Sequence, residues 1–262
     1  MNTAKKLAKV KKILKKHAGV VVAFSGGVDS TLLLKIAKEV LKNNVIAVTA
    51  VSSLHPKTEI YEAKKIAKRL KSTHMFFQSN EMKDSRFLKN TKNRCYFCKL
   101  ELFKKLKRIA NKRGFAVVEA SIKSDLKDYR PGLRALRKLR IASPFISAGI
   151  DKRTVRIWAR KYVLPNWSKP STACLVSRIP YDREINKKIL QRIEKAESYL
   201  KGMNLSQVRV RDHFPIARIE VTKYEFKIIL KYQDNITRYF RKLGYKYVTL
   251  DLEGYRTGSL NR

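Results

Sequence analysis

The stretch VVVAFSGGVDSTLLLKIAKEVL, residues 20–41, restricts what this chain can fold into more than any other. Residues 20–24 are a run of β-branched, alanine and aromatic side chains that reads as a buried parallel strand. After it, Leu33, Ile36, Ala37, Val40 and Leu41 recur at helical spacing. The six residues between them, Ser25, Gly26, Gly27, Val28, Asp29 and Ser30, make the turn. Two glycines let the backbone turn tightly and approach a ligand closely. The N–H groups of the helix start and the hydroxyls of Ser25 and Ser30 then point at one concavity. Such a turn is an anion cradle sized for phosphate.

The common phosphate loop is excluded, because no Gly-Lys-Ser/Thr follows a four-residue spacer, and the dinucleotide fingerprint G-x-G-x-x-G is absent. SGGVDS resembles the PP-loop of the ATP pyrophosphatase superfamily. The resemblance implies that ATP is split between its α and β phosphates, with pyrophosphate held by residues 25–30 and the α-phosphorus left open to a substrate oxygen. The bland alternative is a glycine-rich strand-to-helix turn with no ligand.

At 262 residues the chain is long for one compact domain, and two are expected. Lys plus Arg number 60 against 21 Asp plus Glu, a net charge of +39. That field suits polyanions: RNA, nucleotides or phosphorylated small molecules. Because the basic residues are spread from Lys5 to Arg262, solvated helix faces account for many of them. The opening MNTAKKLAKVKKILKKHAGVVVAF superficially looks like a secretory signal. Its apolar run is too short for a membrane span and leads straight into the phosphate loop, so Leu7, Val10, Ile13 and Leu14 read as the buried stripe of a first helix. No membrane association is expected. Three cysteines without an export signal point to thiol or metal chemistry in a reducing cytoplasm rather than to a disulfide framework.

Further strands are expected at 44–51, 73–79 and 115–120, each separated from the last by a helical pattern; one helix opens at Pro56 with Ala63, Ile66, Ala67 and Leu70 inward. The alternation predicts an α/β fold, a HUP-like parallel sheet with helices on both faces and its ligand beyond the carboxyl ends of the strands. DYRPG at 128–132 reads as a turn with Pro131 opening a helix through Leu139, and residues 151–163 as an amphipathic helix capped by Asp151. Residues 164–182 carry three prolines and little periodicity, which marks a functional loop and a domain junction. From Glu184 the pattern is a small α+β domain: a helix to about Leu200, short strands in QVRVRDH and IARIEV, helical patterns over 223–243 and a last strand in YKYVTLDL. The boundary is placed near Pro180, giving a PP-loop domain over 1–180 and a C-terminal domain over 181–262. Neither internal repeats nor low-complexity segments are present.

Cys95 and Cys98 stand three apart at a helix start in NRCYFCK and so share a face that can bind one metal or cluster. Cys174 lies in the later loop, whose return to the same crevice would make a third thiolate. Three thiolates on a cubane leave one iron without a protein ligand. The competing readings are zinc with a fourth ligand from His17, His55, His74 or His213, ordinary buried cysteines, and a redox pair with Cys174 acting by itself. Arg209 and Arg211, two apart on a strand and opposite Val208 and Val210, form a candidate anion clamp for a substrate phosphate; a solvated strand face is the alternative.

NRCYFCK, DYRPG, KPSTACLVSRIPY, VRVRDH…ARIEV and GYKYVTLDLEGYRTGS, with the loop itself, resemble the LarE family of ATP-dependent sulfur transferases from about Val20 to Leu260. The resemblance implies adenylation of a carboxylate of a pyridinium dicarboxylate mononucleotide, followed by displacement of AMP by sulfur to give a thiocarboxylate on the way to a nickel-pincer cofactor. It implies ATP and Mg²⁺, with Asp29 helping to hold the metal. In three-cysteine members the sulfur source is a 4Fe-4S cluster carrying an extra sulfide, here on Cys95, Cys98 and Cys174; in others a cysteine is sacrificed, and ACLVSR resembles that site. Arg178, four residues past Cys174, is a candidate to lower the thiol pKa or bind substrate phosphate. A homo-oligomer and a sulfide or other sulfur donor are further expectations. Arg130 reads as structural. The chain departs from the family before DYRPG, where EASIKSDLKDYRPG places Ser121, Lys123 and Ser124 in a segment that commonly reads Gly-Thr-Asn with paired Asp, and only Asp125 of the pair remains. Two other functions compete. A tRNA thiolase of the same superfamily accounts for the charge, although no RNA-binding module is recognisable. A noncatalytic nucleotide-binding regulator predicts ATP binding without AMP formation.

Overall fold

The computed structural model describes residues 3–126, 129–170 and 172–256. Asp128 of DYRPG, Ser171 of KPSTACLVSRIPY and residues 257–262, which include the end of GYKYVTLDLEGYRTGS, lie outside the described residues. The chain divides into two compact units. The first comprises Met1–Phe87 with Lys92–Thr172, and the second Leu88–Thr91 with Ala173–Arg262.

In the first unit, four parallel strands among the described residues stand in the order β3-β2-β1-β4: β1 Val20–Ala23, β2 Val45–Val51, β3 Thr73–Gln78 and β4 Ala116–Val118. The pleat sends alternate residues of the valine-rich β1 to opposite cores. Val20 and Val22 join Ala47 and residues of α1 (Thr3–Lys15), α2 (Val28–Leu41), α3 (Lys57–Arg69) and α8 (Lys152–Lys161). Val21 joins Ile46, Val48 and residues of α5 (Arg94–Asn111) and α6 (Gly132–Lys138) on the other side. Each of these fully buried valines contributes about 1.5–3 kcal/mol by leaving water. Helices therefore cover both faces, as the alternation of patterns predicts. Two short helices, α4 (Ser85–Leu88) and α7 (Pro144–Ser147), complete the helical order up to α8.

The second unit carries α9 (Lys187–Lys201), α10 (Phe226–Lys231), α11 (Gln233–Lys242) and a three-stranded sheet, β5-β6-β7, among the described residues. β5 (Val208–His213) and β6 (Ile216–Val221) are antiparallel, whereas β7 (Tyr247–Leu250) lies parallel to β6. Val208, Val210, Ile219 and Val221 pack with Leu200, Ile236 and Phe240 in a separate core. The division falls at Thr172/Ala173, ahead of the expected Pro180. The short 3-10 turn Leu175–Arg178 belongs with the second unit because the Arg178 guanidinium is paired with Glu197 of α9. Leu88–Thr91 joins that unit as well: the Asn90 side chain donates to Pro180 O at 2.7 Å and Arg183 O at 2.9 Å. Among the described residues, no helix is long and apolar enough to cross a membrane.

Candidate active site

The six-residue turn folds as its composition requires. Gly26 has φ +71°, and a Cβ there would stand 2.9 Å from the Ala63 backbone of α3, so both the conformation and the close approach demand glycine. Gly27 caps α2 in extended conformation without any side-chain cap bond, leaving the first-turn N–H groups without intrahelical partners at the helix's positive end. The two serines brace the turn. Ser25 N donates to Ser30 Oγ at 3.3 Å, Gly27 N donates to Ser25 Oγ at 3.3 Å, and Ser30 Oγ donates to Gly27 O at 3.1 Å. Since the Ser30 proton goes to Gly27 O, the Ser25 hydroxyl is the donor across the 3.2 Å contact between the two. Glycine cradle, free N–H groups and hydroxyls together fit the phosphates of a nucleotide.

Three groups from elsewhere in the chain hold this loop. Asn166, 6% exposed, donates from Nδ2 to Gly26 O at 2.8 Å and to Thr31 Oγ1 at 2.9 Å, while its Oδ1 is buried without a partner. Lys152 Nζ donates to both oxygens of Asp29, at 2.9 and 2.7 Å. Thr49 Oγ1 donates to the carbonyl of Phe24, immediately before the loop, at 2.7 Å. With its own proton so used, Thr49 accepts at 2.8 Å from His74 Nε2, which makes that nitrogen the protonated one. Nδ1 is then a buried lone pair, and it has no partner. Adding a proton there would create a buried donor with nothing to accept it. Burial, then the charge of Lys64, accordingly pull His74 down to about 4. Asp29 is a hard oxygen donor at the cradle's edge. It suits a magnesium ion that takes one carboxylate and completes its shell with phosphate oxygens and water.

Cys95 and Cys98 occupy the first turn of α5 and form no disulfide among the described residues, Cys95 exposed and Cys98 half-buried. An i, i+3 pair on one face is a suitable start for a thiolate site. α6 comes close to this turn: a Cβ on Gly132 would stand 3.0 Å from Lys99 Cγ and 3.4 Å from Cys95 O. A side chain at the glycine of DYRPG would therefore crowd the packing of α6 on α5. Arg130 pairs with Asp125 at 2.9 Å. Within either unit, no three His, Cys, Asp or Glu side chains among the described residues converge on one point.

In the second unit, Cys174 caps the 3-10 turn whose last residue is Arg178. The Arg178 side chain is 1% exposed and grips Glu197 with two bonds, Nε to Oε1 at 2.7 Å and Nη2 to Oε2 at 2.9 Å. Its Nη1 donates to Ala173 O at 2.7 Å and Cys174 O at 2.9 Å, so the guanidinium ties down the backbone that carries the thiol. Arg209 and Arg211 both sit on β5 and both are 5% exposed, which is not the solvated face considered as their alternative. Arg211 forms a two-bond pair with Glu220, 2.8 Å for each, and also donates to Ser177 O; Glu220 is shared with the more exposed Arg218. Arg209 is different. It donates to Val208 O at 2.7 Å and lies 5.2 Å over the Tyr255 ring, but among the described residues no carboxylate pairs with it. Burial, then the positive charge of Arg178, push its pKa below the usual arginine range. The charge of Glu197 acts on it in the opposite sense without forming a direct ion pair, so a buried guanidinium in this position can still receive an anion.

The tertiary structure thus gathers Ser25–Ser30 into one cradle and groups Arg178, Arg209 and Arg211 around the Cys174 turn. Sequence reasoning missed Lys152, Asn166, His74 in its supporting role, and the two carboxylates Glu197 and Glu220. Of these only Asn166 carried a signal, by standing in the aperiodic segment already marked as functional.

A family model described as a PP-loop domain matches residues 1–119. The pyridinium-3,5-bisthiocarboxylic acid mononucleotide synthase of Lactiplantibacillus plantarum is 37% identical over 260 residues, which cover 98% of this chain and 94% of that protein. An uncharacterized protein of Synechocystis is 42% identical over 247 residues, 92% of this chain and 91% of its own length. Another, of Methanocaldococcus jannaschii, is 32% identical over 259 residues, 97% and 98% respectively. The similarity to the synthase runs through both units.

Proposed function

The chain belongs to the LarE family of PP-loop, ATP-dependent sulfur transferases, and from that premise we propose that it adenylates a carboxylate of a pyridinium-3,5-biscarboxylic acid mononucleotide, or a close analogue, and replaces AMP with sulfur. The observation that carries this reading is the glycine cradle at the start of α2, with Asp29 at its edge, in a chain similar to the synthase almost from end to end. A carboxylate oxygen is a poor leaving group. Attack of that oxygen on the α-phosphorus breaks the α–β bond, releases pyrophosphate and makes AMP the group that sulfur displaces. The loop N–H groups bind the pyrophosphate as its charge develops, and Asp29 would hold a Mg²⁺ ion, whose charge would offset that of the phosphates.

In this reading Arg209, with Arg211 beside it, receives the substrate phosphate, and Arg178 acts as a positioning residue for the Cys174 turn. Cys95, Cys98 and Cys174 are the residues that would hold a 4Fe-4S cluster. When bound, such a cluster has one iron without a protein ligand and can supply an extra sulfide. The second route, sacrifice of the Cys174 sulfur, uses the same residue. A homo-oligomer is part of the same proposal, read directly by the mass of the native protein in solution.

The test is anaerobic reconstitution followed by incubation with ATP and the pyridinium dicarboxylate nucleotide. AMP, pyrophosphate and a thiocarboxylate are expected, with the Cys174 peptide unchanged in mass. A peptide lighter by hydrogen sulfide assigns the sulfur to Cys174 instead. Release of ADP and phosphate overturns the adenylation reading. AMP formation that depends on tRNA would favour the tRNA thiolase, which the net charge of +39 keeps in the comparison.

A further inference from the structure

Lys152 lies far from the phosphate loop in sequence, yet its ammonium rests on both oxygens of the loop's only acid. Its backbone is held firmly. Asp151 caps α8 by accepting from Thr154 N at 2.8 Å, and Ile150 N donates to Phe145 O at 2.9 Å just before it. Its head is free to move, since the side chain is 33% exposed and has four rotatable carbons, and Asp29 is 28% exposed. The charges explain why the pair exists. Asp29 stands in the first turn of α2, where incoming triphosphate must settle on the N–H groups, and an unpaired carboxylate there would repel it. An ammonium and a divalent cation on the same two oxygens would also repel each other at contact range.

We propose that Lys152 is the exchangeable counter-cation of the phosphate loop: it neutralises Asp29 while the loop is empty, and moves onto the phosphates of ATP when a divalent cation takes the carboxylate. The exchange keeps the mouth of the loop near electrical balance in both states. After it, the ammonium adds to the N–H donors that hold the departing pyrophosphate. The proposal rests on the reading of Asp29 as the metal-binding carboxylate. Its rival is a plain tether between α8 and α2, a half-exposed ion pair of small effect.

The full-length protein is titrated with Mn²⁺ alone, followed by electron paramagnetic resonance, and separately with Mg²⁺ and α,β-methylene-ATP, followed by calorimetry. Lys152→Met should tighten nucleotide-free Mn²⁺ binding about fivefold, because its competitor is gone. The same variant should weaken the nucleotide about tenfold, because a charge-assisted contact is lost. Lys152→Arg should recover most of the nucleotide affinity. A tether predicts neither change, so an unaltered constant for either ligand in Lys152→Met, with an unaltered thermal melt, overturns the proposal. Asp29→Asn separates the two levels. If it leaves Mn²⁺-dependent nucleotide binding intact, the assignment of Asp29 itself fails. If it abolishes that dependence while Lys152→Met behaves as wild type, only the role of the lysine fails.

Discussion

The phosphate loop and the Cys174 arginine cluster are the two anion sites of the proposed function, and they are built in opposite ways. At the loop the donors are backbone N–H groups and hydroxyls, and among the described residues its ion pair, Lys152–Asp29, is partly exposed and so open to the exchange proposed above. In the cluster the donors are guanidiniums buried to 5% exposure or less, two of them locked to Glu197 and Glu220 and the third, Arg209, left over. An open site can trade ions with its ligand. A buried one must have its charges arranged in advance, because rearranging them in a low-dielectric interior is costly.

The largest effect that would test this contrast comes from Glu197→Ala. It strands the Arg178 guanidinium inside the second unit, and urea unfolding should show a loss of about 3–5 kcal/mol. A loss below about 1 kcal/mol would mean the cluster is not preorganised by that pair. Gly26→Ala attacks the loop instead. The added methyl meets the Ala63 backbone at a φ suited to glycine, and AMP formation should fall about 100-fold, equivalent to about 2.7 kcal/mol, with the second unit's stability unchanged. Retained activity would show that the loop is not where ATP is held. Arg209→Met sharpens the contrast within the cluster itself. Binding of the phosphorylated substrate, or inhibition by inorganic phosphate, should weaken about tenfold while stability to urea is unchanged or higher, the opposite sign from Glu197→Ala. A matching loss of stability would make Arg209 a structural cation.

The smallest effect concerns pH. His74 titrates near 4 in the folded protein against an ordinary value near 6.5, so between those values the unfolded chain binds more protons. Its contribution is fully present above about pH 6.5 and is lost as pH falls toward 4. The ring is only partly buried, so the loss at pH 5 should be about 1 kcal/mol after screening. His74→Gln, which keeps a donor toward Thr49 and cannot titrate, should flatten that slope in urea midpoints compared between pH 7 and pH 5.

Much of the fold was legible because it is written in short-range patterns. The strand at Val20–Ala23, the glycine turn, the helix behind it, the Asp151 cap and the small C-terminal α+β region all follow from periodicity and turn chemistry over a few residues. The pairing of Arg209 and Arg211 on one strand was equally readable. Their burial was not, because an alternating strand looks the same whether water or a second layer covers its polar face. The point at which the units divide depends on the same kind of information. Pro180 marks a change in composition, whereas Arg178 and Asn90 bind across it through partners no local window contains.

By itself the amino-acid sequence determined the tight glycine turn between a buried strand and an amphipathic helix, and the family that its motifs resemble. Only the tertiary structure decided the electrostatics: which acid each buried arginine meets, that Asp29 shares its oxygens with Lys152, and that Asn166 and the His74–Thr49 chain hold the loop from behind. The physical reason is that backbone conformation responds to neighbours a few residues away. A charge or an orphaned lone pair responds instead to whatever the completed core leaves within a few ångströms of it.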